Sequence, residues 1–104
     1  MAELCKLVYL PTADVDILEI VAFHADQVGP ASAREVYNTI KEELGRLRSF
    51  PLLGQIHPDP ELAAQGYRKL VLTRTYVAVY RVIGSAVTIY RVVNGKTDYS
   101  KLLK

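Results

Sequence analysis

The stretch YVAVYRVIGSAVTIYRVV, residues 76–93, decides the fold. Valine, isoleucine, tyrosine and threonine dominate it, as strands favour. Gly84-Ser85 divides it in two, and a two-residue break of this kind closes an antiparallel hairpin. Strands are therefore expected over Tyr76–Val82 and Ala86–Val93. Alternation gives each strand two faces. Tyr76, Ala78, Tyr80 and Val82 oppose Val77, Val79 and Arg81; Val87, Ile89, Arg91 and Val93 oppose Thr88, Tyr90 and Val92. Tyrosine and arginine fall on both sides, so the pattern leaves open which face meets the core.

Upstream, Tyr67–Leu72 supplies a third strand. Leu52 to Gly66 reads as irregular, punctuated by Gly54, Pro58, Pro60 and Gly66, with one helical turn possible at Pro60–Ala64. Two helical patterns precede it. Ile17, Ile20, Val21, His24 and Val28 recur at spacings of three and four. Thr12 and Asp14 offer oxygens at the start of this helix, and Gly29-Pro30 stops it. Ser32 and Glu35 then have the spacing of a capping box, and Val36, Ile40, Leu44 and Leu47 share one face. Glu42 and Arg46 are spaced to pair, and Phe50-Pro51 closes this second helix. A short strand, Leu4–Tyr9, ends at Pro11. The order β-α-α-β-β-β predicts an α+β domain. An N-terminal strand and a helical hairpin pack on an antiparallel C-terminal sheet, all within one domain over residues 1–104.

Half of the 104 residues are hydrophobic, enough for a modest core. No apolar run approaches the roughly 20 residues that cross a bilayer. The opening MAELCK lacks the basic-then-apolar order of a secretory signal. The single cysteine, Cys5, forms no internal disulfide, so a cytoplasmic location without membrane contact is expected. The net charge of +2 conceals an asymmetry. Residues 1–67 hold five Lys/Arg against ten Asp/Glu, whereas residues 68–104 hold eight Lys/Arg against one Asp. Such a split suits nucleic acid or an acidic protein partner, or else acidic helices that neutralise a basic sheet.

His24, His57 and Cys5 are too far apart in sequence for a metal motif. There is no glycine-rich phosphate loop and no nucleophile elbow. No metal or cofactor is expected. Basic residues near tyrosines remain. RNA cleavage without a metal needs activation of a 2′-hydroxyl, stabilisation of the phosphate charge and protonation of the leaving oxygen. Arg68, Arg74, Lys96 and Tyr99 are the candidate catalytic group for that chemistry. Arg68, Lys69, Arg74, Arg81 and Lys96 are candidates for target binding. Taken without any family comparison, ordinary strand edges and turns are the simpler account of the same residues.

Several pieces, in order, resemble the RelE/ParE toxin superfamily, the toxin halves of type II toxin–antitoxin pairs. Asp16-Ile17-x-x-Ile20 is similar to its first-helix motif, and Leu47-x-x-Phe50-Pro51-x-x-Gly54 to the end of its second helix. Arg68-Lys69-Leu70 with Tyr76-x-x-x-Tyr80-Arg81-Val82 resembles its central hairpin. Val92-Val93-Asn94-Gly95-Lys96-Thr97-Asp98-Tyr99, with Leu102-Leu103, resembles its closing segment. Asn94 stands where many members carry histidine, Thr97 where they commonly carry arginine, and Val77 where ribonuclease members often carry another arginine. The helices and hairpin resemble the ParE branch more closely. The resemblance implies a toxin that inhibits DNA gyrase by binding. The alternatives are a ribosome-dependent mRNA endoribonuclease and a degenerate, non-toxic antitoxin-binding regulator. It also implies a cognate antitoxin as partner and contact with operator DNA only through that antitoxin. The antitoxin is expected along the outer face of the helical hairpin and across the basic sheet edge.

Overall fold

In the computed structural model, which describes residues 4–104, the hairpin of residues 76–93 is the spine of a five-stranded sheet. Residues 1–3, the start of the stretch read against a secretory signal, lie outside that range. Strand β1 (Lys6–Tyr9) leads to helices α1 (Pro11–Gln27) and α2 (Pro30–Gly45) and a 3-10 turn (Arg46–Arg48). Then come β2 (Gln55–Ile56), the short helix α3 (Pro60–Ala64), β3 (Arg68–Val71), β4 (Tyr76–Ile83) and β5 (Ala86–Asn94). A second 3-10 turn, Ser100–Leu102, lies in the tail. The α+β architecture is the expected one, with β2 added inside the stretch read as irregular. The strand order is β1-β5-β4-β3-β2; β1 runs parallel to β5 and the other neighbours are antiparallel.

Prolines, not side-chain oxygens, start both long helices. Pro11 and Pro30 sit in the first turn, where a missing N–H costs nothing and the fixed φ already suits a helix. Neither helix has a side-chain cap. The capping box expected of Ser32 and Glu35 does not form, because α2 has already begun at Pro30; Ser32 Oγ lies 3.2 Å from His24 Nδ1 instead. Thr12 is a cross-link rather than a cap, donating to the Tyr90 carbonyl at 2.9 Å. Gly29, at φ 141°, supplies the reversal between the helices. Val28 is exposed beyond the end of α1, and Arg46 pairs with Glu43 rather than Glu42, at 3.0 Å.

Ile17, Ile20, Ile40, Leu44 and Leu47 pack on Leu70, Ala78, Tyr80, Val87 and Ile89 of the sheet. Each fully buried aliphatic side chain contributes about 1.5–3 kcal/mol, so this interface fixes the helical hairpin on one face. The strict alternation expected of β5 fails after Ile89. Val79 pairs with Arg91 and Tyr80 with Ile89, leaving Tyr90 as the extra residue of a bulge. A bulge shifts the alternation beyond it. Val92 therefore joins Val87 and Ile89 beneath the helices, while Tyr90 and Val93 pack on the rear.

Leu62 of α3 and Tyr99 of the tail pack with Tyr67, Val77 and Val79, which covers part of the rear face. Asp59 caps α3, accepting from the Glu61 and Leu62 amides at 2.9 and 3.2 Å. Lys104 Nζ reaches Asp59 at 2.9 Å and Glu61 at 3.1 Å, tying the tail to α3. Among the described residues no helix is long and apolar enough to cross a membrane.

Candidate functional site

The sheet distributes the basic candidates rather than gathering them. Arg68 lies opposite Tyr80 on the helix side, and its Nη1 donates to the Gly54 carbonyl at 2.7 Å. Lys69, one residue on, faces the rear. There it lines a groove of about 350 Å³ with His57, Asp59, Thr97 and Tyr99. Arg74 sits in the exposed turn between β3 and β4, beside a separate groove of about 370 Å³ that holds His24, Ser32, Glu35 and Tyr76. Lys96 is exposed after β5, its amide bonded to Asn94 Oδ1 at 2.9 Å. Arg81 lies on the rear face over the Tyr67 and Tyr90 rings, at 5.3 and 5.9 Å from their centroids. Of the four residues proposed for ribonuclease chemistry, only Tyr99 lies in the rear groove. Lys69, proposed for binding, shares it.

Tyr99 is 8% exposed, and its hydroxyl lies 2.9 Å from His57 Nε2. Burial, followed by the Asp59 carboxylate, raises the phenol above its usual range. His57 is 5% exposed and accepts the Asp59 amide at Nδ1, at 3.0 Å. That bond leaves the ring proton on Nε2, facing Tyr99. Burial is the main cause lowering the His57 pKa, with Lys69 and Lys104 assisting against Asp59. The groove thus holds a neutral imidazole bonded to a protonated phenol. No local pattern marked His57, because its partner is 42 residues away. Asp59 did carry a signal: an Asp before Pro60 is a helix start.

Residues 7–99 match the family described as ParE toxin of type II toxin-antitoxin system, parDE. The chain belongs to this family. A solved structure entitled "Chromosomal ParDE TA system from P. aeruginosa" superposes with a TM-score of 0.75 at 24% identity, covering 89% of this chain and 98% of the other. One entitled "YoeB/ParE toxin from Agrobacterium tumefaciens" gives 0.55 at 20% identity, over 86% and 96% of the two chains. Both likenesses concern the fold. No curated protein matches the chain.

Two motifs that carried the resemblance have structural work in this ParE-family toxin. Asp16, 8% exposed, accepts Nε and Nη2 of Arg91 at 2.7 and 2.8 Å and the Val92 amide at 3.0 Å. β1 ends opposite Ile89, so beyond it the edge of β5 has no strand neighbour; Asp16 and Thr12 of α1 take up its amide and carbonyl. Gly54 donates its amide to the Tyr80 hydroxyl at 2.8 Å, and that hydroxyl donates to the Pro51 carbonyl at 2.9 Å. A Cβ on Gly54 would lie 2.7 Å from the Lys69 carbonyl and 2.8 Å from the Tyr80 ring. Asn94-Gly95 turns the chain after β5 without left-handed angles. The Asn94 side chain closes the turn, and a Cβ on Gly95 would make a tight 3.1 Å contact with the Val77 side chain.

Proposed function

We propose that this ParE-family toxin acts by inhibiting DNA gyrase, through binding, in the cytoplasm of its host. The observation that carries the reading is the family match from residue 7 to residue 99, since the ParE branch is the one whose resemblance implies gyrase. Two positive features accord with it. Arg68 and Tyr99, half of the group suggested for RNA cleavage, are engaged in bonds that hold the Gly54 turn and the tail. Arg74 and Lys96 are exposed cations, suited to a protein or DNA target without a catalytic partner.

Control by a cognate antitoxin is part of the same reading. α1 presents Val15, Leu18 and Phe23 to solvent at 51, 65 and 58% exposure. Phe23 also borders a groove of about 320 Å³ running between α1 and the free edge of β5. An amphipathic segment that folds on binding would cover this apolar strip, and its acidic residues would meet the basic C-terminal part. Operator DNA is then reached through the antitoxin.

Inducing the gene alone and pulse-labelling DNA and protein synthesis tests the target. DNA synthesis is expected to fall first. An initial collapse of protein synthesis would overturn the gyrase reading in favour of mRNA cleavage. Growth with neither affected, in a host whose gyrase the purified protein also fails to inhibit, would leave only a regulatory role.

A further inference from the structure

None of the five strands of the sheet contains an Asp or Glu. Their arginines have different fates. Arg91 is bound by Asp16 on the helix side, and Arg68 is bound by the Gly54 carbonyl. Arg81 has neither kind of partner. Among the described residues its one side-chain hydrogen bond is a long one, Nη1 to the Tyr90 hydroxyl at 3.3 Å, and no ion pair includes it. It is half-buried, spread over Tyr67 and Tyr90, whose rings meet edge to face at 5.0 Å. A guanidinium held this way keeps most of its N–H donors free and presents a flat, charged surface.

The neighbours extend that surface. In register, Arg81 lies opposite Thr88, and Thr88 opposite Val8; Lys6 lies opposite Ala86. Leu7 and Tyr9 pack under the helices, so Lys6 and Val8 take the rear face. α3 and the tail cover the other part of the rear, around Val77 and Val79. What remains open is a strip three strands wide with a cationic plane, a half-exposed tyrosine, a hydroxyl and an ammonium.

We propose that this strip binds a single strand of nucleic acid, with Arg81 and Lys6 on phosphates and a base stacked on the Arg81–Tyr90 surface. A strand with unstacked bases is favoured over a duplex because the open sheet offers a flat stacking surface and no protruding element to enter a groove. It is favoured over an acidic peptide because the Arg81–Tyr90 surface adds base stacking, which a carboxylate side chain cannot use. The inference does not depend on the gyrase reading: a toxin of either target could carry it.

Fluorescence anisotropy of labelled oligothymidylate and oligouridylate, each about 12 nucleotides long, against the purified full chain tests the proposal and separates DNA from RNA. Saturable binding of either strand is expected. Arg81→Ala should weaken it by about tenfold and reduce the slope of log affinity against log salt by about 0.7. Arg81→Lys should weaken binding while retaining the slope, and it serves as the folded variant if Arg81→Ala does not fold. Arg34→Ala, the same charge change on the exposed side of α2, should alter neither. The proposal is overturned if neither strand binds saturably or if Arg34→Ala weakens binding as much as the Arg81 variants. Tighter binding of the matching duplex, or displacement by polyglutamate as readily as by unlabelled strand, would overturn it too.

Discussion

Asp16 replaces a missing strand with one carboxylate. It accepts from the Val92 amide and from Nε and Nη2 along one edge of the Arg91 guanidinium, and it does so almost without solvent. Removing one member of a buried pair leaves the other charge uncompensated, which costs about 3–5 kcal/mol. Asp16→Ala is therefore expected to lower stability by about that amount in urea titrations, and Arg91→Ala in the Asp16→Ala background should add little further. Tyr80 and Gly54 make a comparable lock. Tyr80→Phe strands a buried amide and carbonyl, a loss of about 1–3 kcal/mol. Gly54→Ala forces a Cβ against backbone and ring, for a similar loss; equal stability of either variant with the parent in the same titration would refute the lock. Both positions were visible in the sequence as motif letters. Their reasons were not, because each bond joins residues far apart in the chain.

Among the elements, the tail depends most on conditions. Tyr99 enters the rear cluster and bonds to His57, while Lys104 reaches back to Asp59 and Glu61. The folded pKa of His57 lies below the ordinary 6.5. Above pH 6.5 the ring is neutral in both states and its contribution is fully present. As pH falls through and below 6.5, the unfolded chain takes up the proton first, so stability is lost until the lower folded pKa is passed. His57→Gln should flatten the stability profile on the acid side of pH 6.5, and amide exchange in residues 96–104 should accelerate there in the parent. Unchanged exchange would show that the tail does not depend on this contact.

The helical hairpin carries the complementary expectation. Leu18→Glu and Phe23→Glu, both at exposed positions, should change stability by less than about 0.5 kcal/mol yet weaken antitoxin rescue in co-expression. Full rescue by antitoxin would place its contact elsewhere. Helix periodicity and the Gly84-Ser85 break made these elements legible, since they are local signals. The parallel pairing of β1 with β5, the bulge at Tyr90 and the strand β2 were not. They arise from how distant segments meet.

For the whole molecule, the asymmetry of charge along the chain survives only in part. Arg91 and Lys104 are neutralised by acids of the first 67 residues. Arg74, Arg81 and Lys96 form no ion pair among the described residues, and they sit at the turn, rear face and tail. That dispersion suits a protein that binds its target over an extended surface, and it fits a family placement read correctly from ordered, loose motifs. Composition supplied the cations, but only the sheet register separated the structural ones from the free ones.

The most direct measurement is DNA supercoiling by purified gyrase with the purified toxin added, beside mRNA integrity on translating ribosomes. The account predicts that supercoiling is inhibited in proportion to toxin, that the cognate antitoxin restores it, and that the mRNA stays intact. Undiminished supercoiling with mRNA cut on the ribosome would contradict it.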